Sequence, residues 1–280
     1  MDAITQKTKK MTALSPILRW AGSKRQILPT LVANTPKQYG AYIEPFAGSA
    51  CLFFALQPER AVIGDFNAQL IVTYQIIADA PRAVAKALSK MPTDPEFYYE
   101  LRARDITGLS LVAQAARFVY LNRFSFNGVY RTNRQGRFNV PRGTKTGALP
   151  TAESIVAAAK ALGNATFVCG DFEKTLDHAR RGDFVYMDPP YRLDEARMRG
   201  EYGYGAFSSC DLDRLADALV TLDHRGVKFL LSYKYRRDFH KRMQRWCLLT
   251  QLVRRHVGGF AERRSKVREL IVSNYPLITP

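Results

Sequence analysis

Residues 41–79 read as strand, glycine turn, helix, strand, acid and helix, an alternation that few folds accept. A β-prone stretch at Tyr42-Ile43 leads through Pro45-Phe46-Ala47-Gly48-Ser49-Ala50 into an apolar helical pattern. Ala61-Val62-Ile63-Gly64 then closes on Asp65, and Asn67 is placed to cap a periodic helix over 68–79. Strands separated by helices pair in parallel, because a parallel neighbour needs a crossover connection. The rhythm resumes at Thr166-Phe167-Val168-Cys169, a helix after Asp171, and Phe184-Val185-Tyr186-Met187, whose unbroken apolar run suits a strand buried on both faces. A helix over 211–223 and further strand-like runs at 228–232 and 270–272 extend the same sheet. The expected class is α/β.

Residues 80–125 break the alternation with three helical patterns, over 84–91, 95–104 and 109–124. Residues 126–142 then carry the turn signals Asn127-Gly128, Asn133, Gln135-Gly136 and Pro141 around short β-prone runs, which predicts a hairpin. The expected division is a catalytic domain over 14–79 and 151–280, interrupted by an insert over 80–150.

Charge marks the same insert. The 42 Lys and Arg against 25 Asp and Glu give a net +17 over 280 residues. Residues 106–152 hold seven basic side chains and no acidic one, while 233–268 hold twelve basic and two acidic. The remainder is balanced, so two basic blocks sit on an otherwise neutral protein, the usual form of a polyanion-binding surface. At 46% hydrophobic and 24% charged, the composition excludes a disordered chain. The apolar runs are too short to span a bilayer, so no membrane partner is expected. The N-terminal lysines lack the apolar stretch of a signal peptide, and the four cysteines lie too far apart for a disulfide framework or a zinc site. A reducing cytoplasm is the expected compartment.

Two motifs carry chemistry. Small residues after a buried strand let a ligand approach the backbone, and an acid at the end of the next strand can accept from ribose hydroxyls. Asp65 follows Gly48 by 17 residues, a spacing that suits this pairing. One glycine in FAGSA is too few for a pyrophosphate, so a nucleoside without phosphates fits better, S-adenosylmethionine among them. A tight turn with no ligand is the other reading. The second motif is Asp188-Pro189-Pro190-Tyr191, directly after the 184–187 strand. Two prolines fix the backbone, so the Asp188 carboxylate and Pro189 carbonyl become two acceptors in set directions. Such a pair can hold both hydrogens of an exocyclic amine and stabilise positive charge developing on its nitrogen. Tyr191 offers a face for a base, which must leave the duplex to reach it. An Asp capping a Pro turn is the plainer alternative.

These motifs, with RWAGSK at 19–24 and LNRFSFNGVYRTNRQGRFNVP at 121–141, resemble the Dam-like (D12, α-class) DNA adenine-N6 methyltransferases from about Leu18 to Tyr275. The resemblance implies a Rossmann-like class I methyltransferase sheet with a helical plus β-hairpin target-recognition insert. It also implies S-adenosylmethionine as methyl donor, no metal, and double-stranded DNA as substrate, with a GATC-like site as first guess. A companion restriction endonuclease, a bacterial nucleoid or a phage-infected cell all suit the family.

Carried over, Trp20 and Lys24 meet the methionine part of the cofactor, with Lys24 pairing its carboxylate. Phe46 and Gly48 line the pocket, Asp65 binds the ribose, and Asp171 with Phe172 binds the adenine. Asp188 borders both ligands; it holds the target amine with Pro189, Pro190 completes the catalytic quartet, and Tyr191 stacks on the base. Arg19 approaches DNA, Phe126 and Asn127 enter the duplex, and Arg131 reads a guanine edge. Arg134, Arg137, Arg142 and Lys145 contact phosphates. Plainer roles stay open: a core anchor for Trp20, a solvated charge for Lys24, a helix cap for Asp171, a solvated face for the basic residues. Ser23 and Ala50 stand where the family has glycine, which implies altered packing. Gly258-Gly259 implies a mobile loop. Ser125, Tyr130, Thr132 and Gln135 leave the recognition sequence open, and methylation of RNA or another planar amine, or a silent DNA-binding role, remains an alternative.

Overall fold

The computed structural model describes residues 13–133, 135–191, 207–254 and 266–279. Its centre is a seven-stranded sheet in the order β3-β2-β1-β4-β5-β7-β6. The strands are β1 (Tyr42–Glu44), β2 (Ala61–Asp65), β3 (Ala165–Cys169), β4 (Phe184–Met187), β5 (Lys228–Lys234), β6 (Cys247–Arg254) and β7 (Lys266–Ser273). The first five are parallel, while β7 runs antiparallel to both β5 and β6.

Alternation along each strand explains the two layers around the sheet. Tyr42, Phe184, Tyr186, Leu230 and Ile271 face one core, and Ile43, Val185, Met187, Phe229, Leu231 and Val272 face the other. Period-two side-chain direction makes both sets apolar, as a sheet covered on both faces requires. The second core is closed by α8 (Phe172–Leu176), α9 (Ser209–His224) and α10 (Arg237–Arg242). The first is closed by α1 (Leu28–Ala33), α2 (Cys51–Leu56), α3 (Ala68–Asp79) and α7 (Ala152–Leu162). It continues without a break into α4 (Pro81–Ser89), α5 (Pro95–Ala103) and α6 (Leu111–Phe124), through Val84, Tyr98 and Val119. Helix starts follow local chemistry: Asn67 accepts from Leu70 N at 3.2 Å, Asp94 from Phe97 N at 2.8 Å and Ser110 from Ala113 N at 3.2 Å.

The structure changes three expectations. β6 is an added strand; on the sheet's edge it needs apolar residues on one side only, and Leu252 is 61% exposed. The 126–142 segment folds back on itself, but with two isolated bridges, Ser125 to Arg142 and Thr132 to Phe138, in place of a continuous ladder. Its reversal lies at Asn133, whose Oδ1 accepts from Gln135 N and Arg137 N at 3.0 Å each. Asn127-Gly128 instead closes a single 3-10 turn (Phe126–Gly128), with Asn127 left-handed at φ 54°. The first basic block is also less exposed than its composition suggests. Arg117 is buried, and its Nε and Nη2 donate to Leu101 O at 3.0 Å and Arg102 O at 2.9 Å. Arg142, expected on phosphate, donates to Thr93 O at 2.8 Å and lies over the Phe124 ring. Gly258-Gly259 and Arg134 lie outside the described residues, as do Arg255, Arg263 and Arg264 of the second block. Among the described residues, no helix is long and apolar enough to cross a membrane.

Candidate active site

From β1 the connections run outward to β2 and β3, and from β4 they run the other way to β5. The gap above the β1 and β4 carboxyl ends is where an open α/β sheet receives a ligand. A cavity of about 480 Å³ opens there, lined by residues from the ends of β1, β2 and β4, the 20–24 segment, α8 and the loop before α9. Its volume falls within the ordinary range for small-molecule sites.

The turn after β1 shapes one wall. Gly48 has φ 45°, and a Cβ there would lie 2.7 Å from Trp20 Cδ1, so only glycine lets the indole lie against the backbone. Gly48 N donates to Asp65 Oδ2 at 3.0 Å and Asn67 N to Asp65 Oδ1 at 2.9 Å, which fixes the carboxylate at the cavity edge. Burial raises the Asp65 pKa against these backbone donors. A carboxylate with about four acceptor positions keeps room for ribose hydroxyls. Of the two departures from glycine, Ser23 accepts from Ser49 Oγ at 3.2 Å, and Ala50 holds left-handed geometry at φ 49°. A Cβ in that region is strained by about 1 kcal/mol, so Ala50 marks a position where glycine would sit more easily.

Phe46, Phe172 and Phe207 form an aromatic wall. Phe46 stacks on Phe172 at 5.4 Å between centroids and meets Phe207 edge-on at 5.8 Å. Three rings around one cavity suit a planar heterocycle. Asp171 lies beside them as the cap of α8, accepting from Glu173 N at 3.0 Å. Its two oxygens also face Arg214, at 2.7 and 3.2 Å, so the helix-cap reading and the pocket position are both met.

Asp188 follows β4 directly. Its Oδ1 is 2.6 Å from Lys24 Nζ, and Lys24 Nζ also donates to Tyr191 OH at 2.9 Å and Gly22 O at 3.1 Å. Lys24 therefore lies between the two ends of the Asp188–Tyr191 tetrapeptide, ion-paired to the acid assigned to the target amine. Burial opposes its charge, yet Asp188, Tyr191 and Glu269 together raise its pKa. Burial lifts Asp188 to about 6, held down by Lys24 and pushed up by Glu269. Glu44, at the end of β1, accepts from Tyr42 OH at 2.9 Å and is held well above the carboxylate range by burial.

Ionisation of Asp188 has a direct consequence. A protonated carboxyl loses acceptor strength, so an activity that needs the carboxylate is full above about 6 and falls about tenfold per pH unit below it. Replacing Lys24 by Met removes the cation that lowers this value, and the acid limb moves to higher pH. A single-turnover pH profile of both proteins checks the direction.

Of the predicted DNA-facing residues, Arg19 and Arg131 adjoin in sequence Trp20, Tyr130 and Thr132, which line the cavity. Asn122 clamps Arg19, with Arg19 N donating to Asn122 Oδ1 at 2.8 Å and Asn122 Nδ2 donating to Arg19 O at 2.6 Å. Gly128 packs against Arg19, where a Cβ would meet Arg19 Cβ at 2.6 Å. Tyr130 stacks on Trp20 at 6.0 Å and 13°, so the insert itself forms a cavity wall. Phe126 is 43% exposed, and Arg131 Nε donates to Asn139 Oδ1 at 2.9 Å. Arg137 is exposed at the reversal. Sequence reasoning missed Glu44, Phe207, Arg214, Asn122 and Glu269 and gave Tyr130 no pocket role. Phe207 had a nearby signal in the Ser208 and Asp211 capping box that begins α9, while Asn122 stood inside the 121–141 motif and Glu44 directly before the Pro45–Ala50 turn, neither with a role of its own.

The family described as D12 class N6 adenine-specific DNA methyltransferase matches residues 20–257. The chain is 36% identical to Type II methyltransferase M1.LlaDCHI of Lactococcus lactis subsp. cremoris, over 95% of this chain and 98% of that protein. It is 31% identical to Type II methyltransferase M.MjaIII of Methanocaldococcus jannaschii, over 94% and 99%. A DNA adenine methylase of Haemophilus influenzae is 29% identical over 91% of this chain and 92% of its own length.

Proposed function

Because the chain belongs to the D12 class of N6 adenine-specific DNA methyltransferases, we propose that it transfers a methyl group from S-adenosylmethionine to N6 of an adenine flipped out of duplex DNA. The observation that carries this reading is Asp188-Pro189-Pro190-Tyr191 at the end of β4, opening into the cavity walled by Phe46, Phe172 and Phe207. Asp65 would hold the ribose, the phenylalanine rings the adenine, and the acids Glu44 and Asp188 suit the cationic half of the cofactor. Bound S-adenosylmethionine would supply a methyl group activated by its sulfonium, the S–CH3 bond breaking to leave a neutral thioether.

The chain's own residues do the rest. Asp188 and the Pro189 carbonyl accept the two hydrogens of the target amine and hold its lone pair toward the cavity. Tyr191 supports the base by stacking. As the new N–C bond forms, the nitrogen becomes cationic and Asp188 takes the proton it sheds. Phe126 fills the space left by the base, and the segment 80–150 acts as the target-recognition insert. The action takes place on cytoplasmic DNA.

Methyl transfer from labelled cofactor to duplex DNA, RNA and protein tests the reading. Duplex DNA gains N6-methyladenine and the other two do not; label in RNA alone overturns it. A GATC-like sequence is the first candidate, and sequencing methylated DNA from cells expressing the protein identifies it. Arg131 is the proposed reader of guanine, with its Nε held by Asn139. Arg131→Ala therefore relaxes discrimination at one position by about 1–3 kcal/mol. Competition between cognate and single-substituted duplexes measures it.

A further inference from the structure

Glu269 lies outside the residues read from sequence but inside the cluster around Asp188. It stands on β7, 4% exposed, and its Oε1 accepts from Tyr191 OH at 2.6 Å. The same hydroxyl accepts from Lys24 Nζ at 2.9 Å, and Lys24 Nζ reaches Asp188 Oδ1 at 2.6 Å. One ammonium therefore serves two carboxylates, one directly and one through a phenol. Glu269 Oε2, meanwhile, has no hydrogen-bond partner among the described residues.

A buried carboxylate oxygen without a donor is unfavourable. A glutamine at 269 would accept the same Tyr191 hydrogen bond with no buried charge, so hydrogen bonding to Tyr191 does not by itself account for an acid. Its charge finds a use in the transfer step. Asp188 Oδ1 is committed to Lys24, and a target amine must compete for it. Releasing Asp188 strands a buried ammonium unless a second anion is at hand.

We propose that Glu269 is a positioning residue of the transfer step, fixing the Tyr191 ring for the target base and taking up the Lys24 ammonium when Asp188 turns to the amine. This rests on the reading of Asp188 to Tyr191 as the amine-holding site. Tyr191 is already confined by three contacts: its hydroxyl with Glu269, its ring with Lys24 Nζ at 4.8 Å from the centroid, and a T-shaped contact with Tyr233 at 5.4 Å and 85°. The groups that bear on Asp188 are Lys24, Glu44, Cys51, Tyr186, Tyr191 and Glu269. Of the charges acting on Asp188 itself, Lys24 lowers its pKa and Glu269 raises it.

The test compares wild type, Glu269→Gln, Glu269→Asp and Asp188→Asn as full chains, by duplex affinity, thermal unfolding and single-turnover methylation across pH. Glu269→Gln is expected to keep duplex affinity within about threefold while its rate falls roughly 10- to 100-fold. Its acid limb moves to lower pH, because a charge that raised Asp188 is gone, and Glu269→Asp restores part of the rate. Two results overturn the role: a wild-type rate and acid limb in Glu269→Gln, or a lost rate with an unmoved limb and no recovery in a folded Glu269→Asp. Asp188→Asn separates the two levels. If it transfers methyl groups like wild type, the reading of the site fails; if it is inactive while Glu269→Gln matches wild type, only the role of Glu269 fails.

Discussion

Asp188→Asn lowers methyl transfer to duplex DNA by roughly 100- to 1,000-fold, with duplex affinity held within a few-fold. The side chain keeps its shape but loses the charge that stabilises a nitrogen becoming cationic, and an amide is a poor acceptor for the proton that nitrogen sheds. In the proposed reading, DNA contacts from basic residues such as Arg19, Arg131 and Arg137 carry duplex affinity, so it is expected to be insensitive to one acid inside the cavity. The one structural risk is Lys24, which loses its 2.6 Å partner. Tyr191 OH and Gly22 O remain on its ammonium at 2.9 and 3.1 Å, so the variant is expected to fold. A parallel Lys24→Met/Asp188→Asn protein removes the unpaired charge altogether. If that double variant melts like wild type and is equally inactive, the loss lies in the chemistry. Near-wild-type transfer by a folded Asp188→Asn protein would remove Asp188 from the reaction.

The strands needed for this site, though not their order, were readable because β1, β2, β4 and β5 are short runs of residues buried on both faces, and such runs leave a local imprint. The turn at Gly48 and the acid at Asp65 were readable for the same reason: each satisfies a need set by its near neighbours. What stayed hidden depends on contacts across the fold. Phe207 joins the cavity from a segment far from Phe46 and Phe172, and Glu269 reaches Tyr191 across 78 positions of chain. Asn122 meets Arg19 across 103. A capping box beside Phe207 and a motif around Asn122 mark the neighbourhood, but nothing local tells which distant partner each side chain meets. Charge counting erred in the opposite direction. It treated Arg117 and Arg142 as part of a surface, whereas their guanidinium groups satisfy carbonyl oxygens at helix and loop ends. Composition records sign and number but not which cations the fold consumes.

Gly64→Ala destabilises the protein by about 1–3 kcal/mol, a fall of roughly 2–10 °C in melting temperature, and weakens cofactor binding with it. Gly64 occupies the fourth position of β2, where the strand runs under α8. A Cβ there would overlap Thr175 Oγ1 and lie 2.8 Å from Thr175 Cγ2 and 2.9 Å from its Cβ. Thr175 is 1% exposed and β-branched on a helix, so its side chain has little rotamer freedom to move aside. The strand cannot retreat either, because Gly64 is in register with Val168 of β3 and its neighbour Ile63 with Glu44 of β1. The strain therefore moves α8, which carries Phe172 of the aromatic wall and begins at Asp171. Stability and cofactor affinity should fall together, with the acid limb of the pH profile unchanged, since Asp188 follows β4 and is not carried by α8. Thr175→Ala removes Oγ1 and Cγ2 and leaves only the 2.9 Å approach. In the Gly64→Ala background it recovers a large part of both losses. Thermal unfolding with and without S-adenosylmethionine measures the two effects at once. A Gly64→Ala protein that melts and binds like wild type would mean that α8 shifts freely over β2, and close packing at this glycine would then have no part in shaping the pocket.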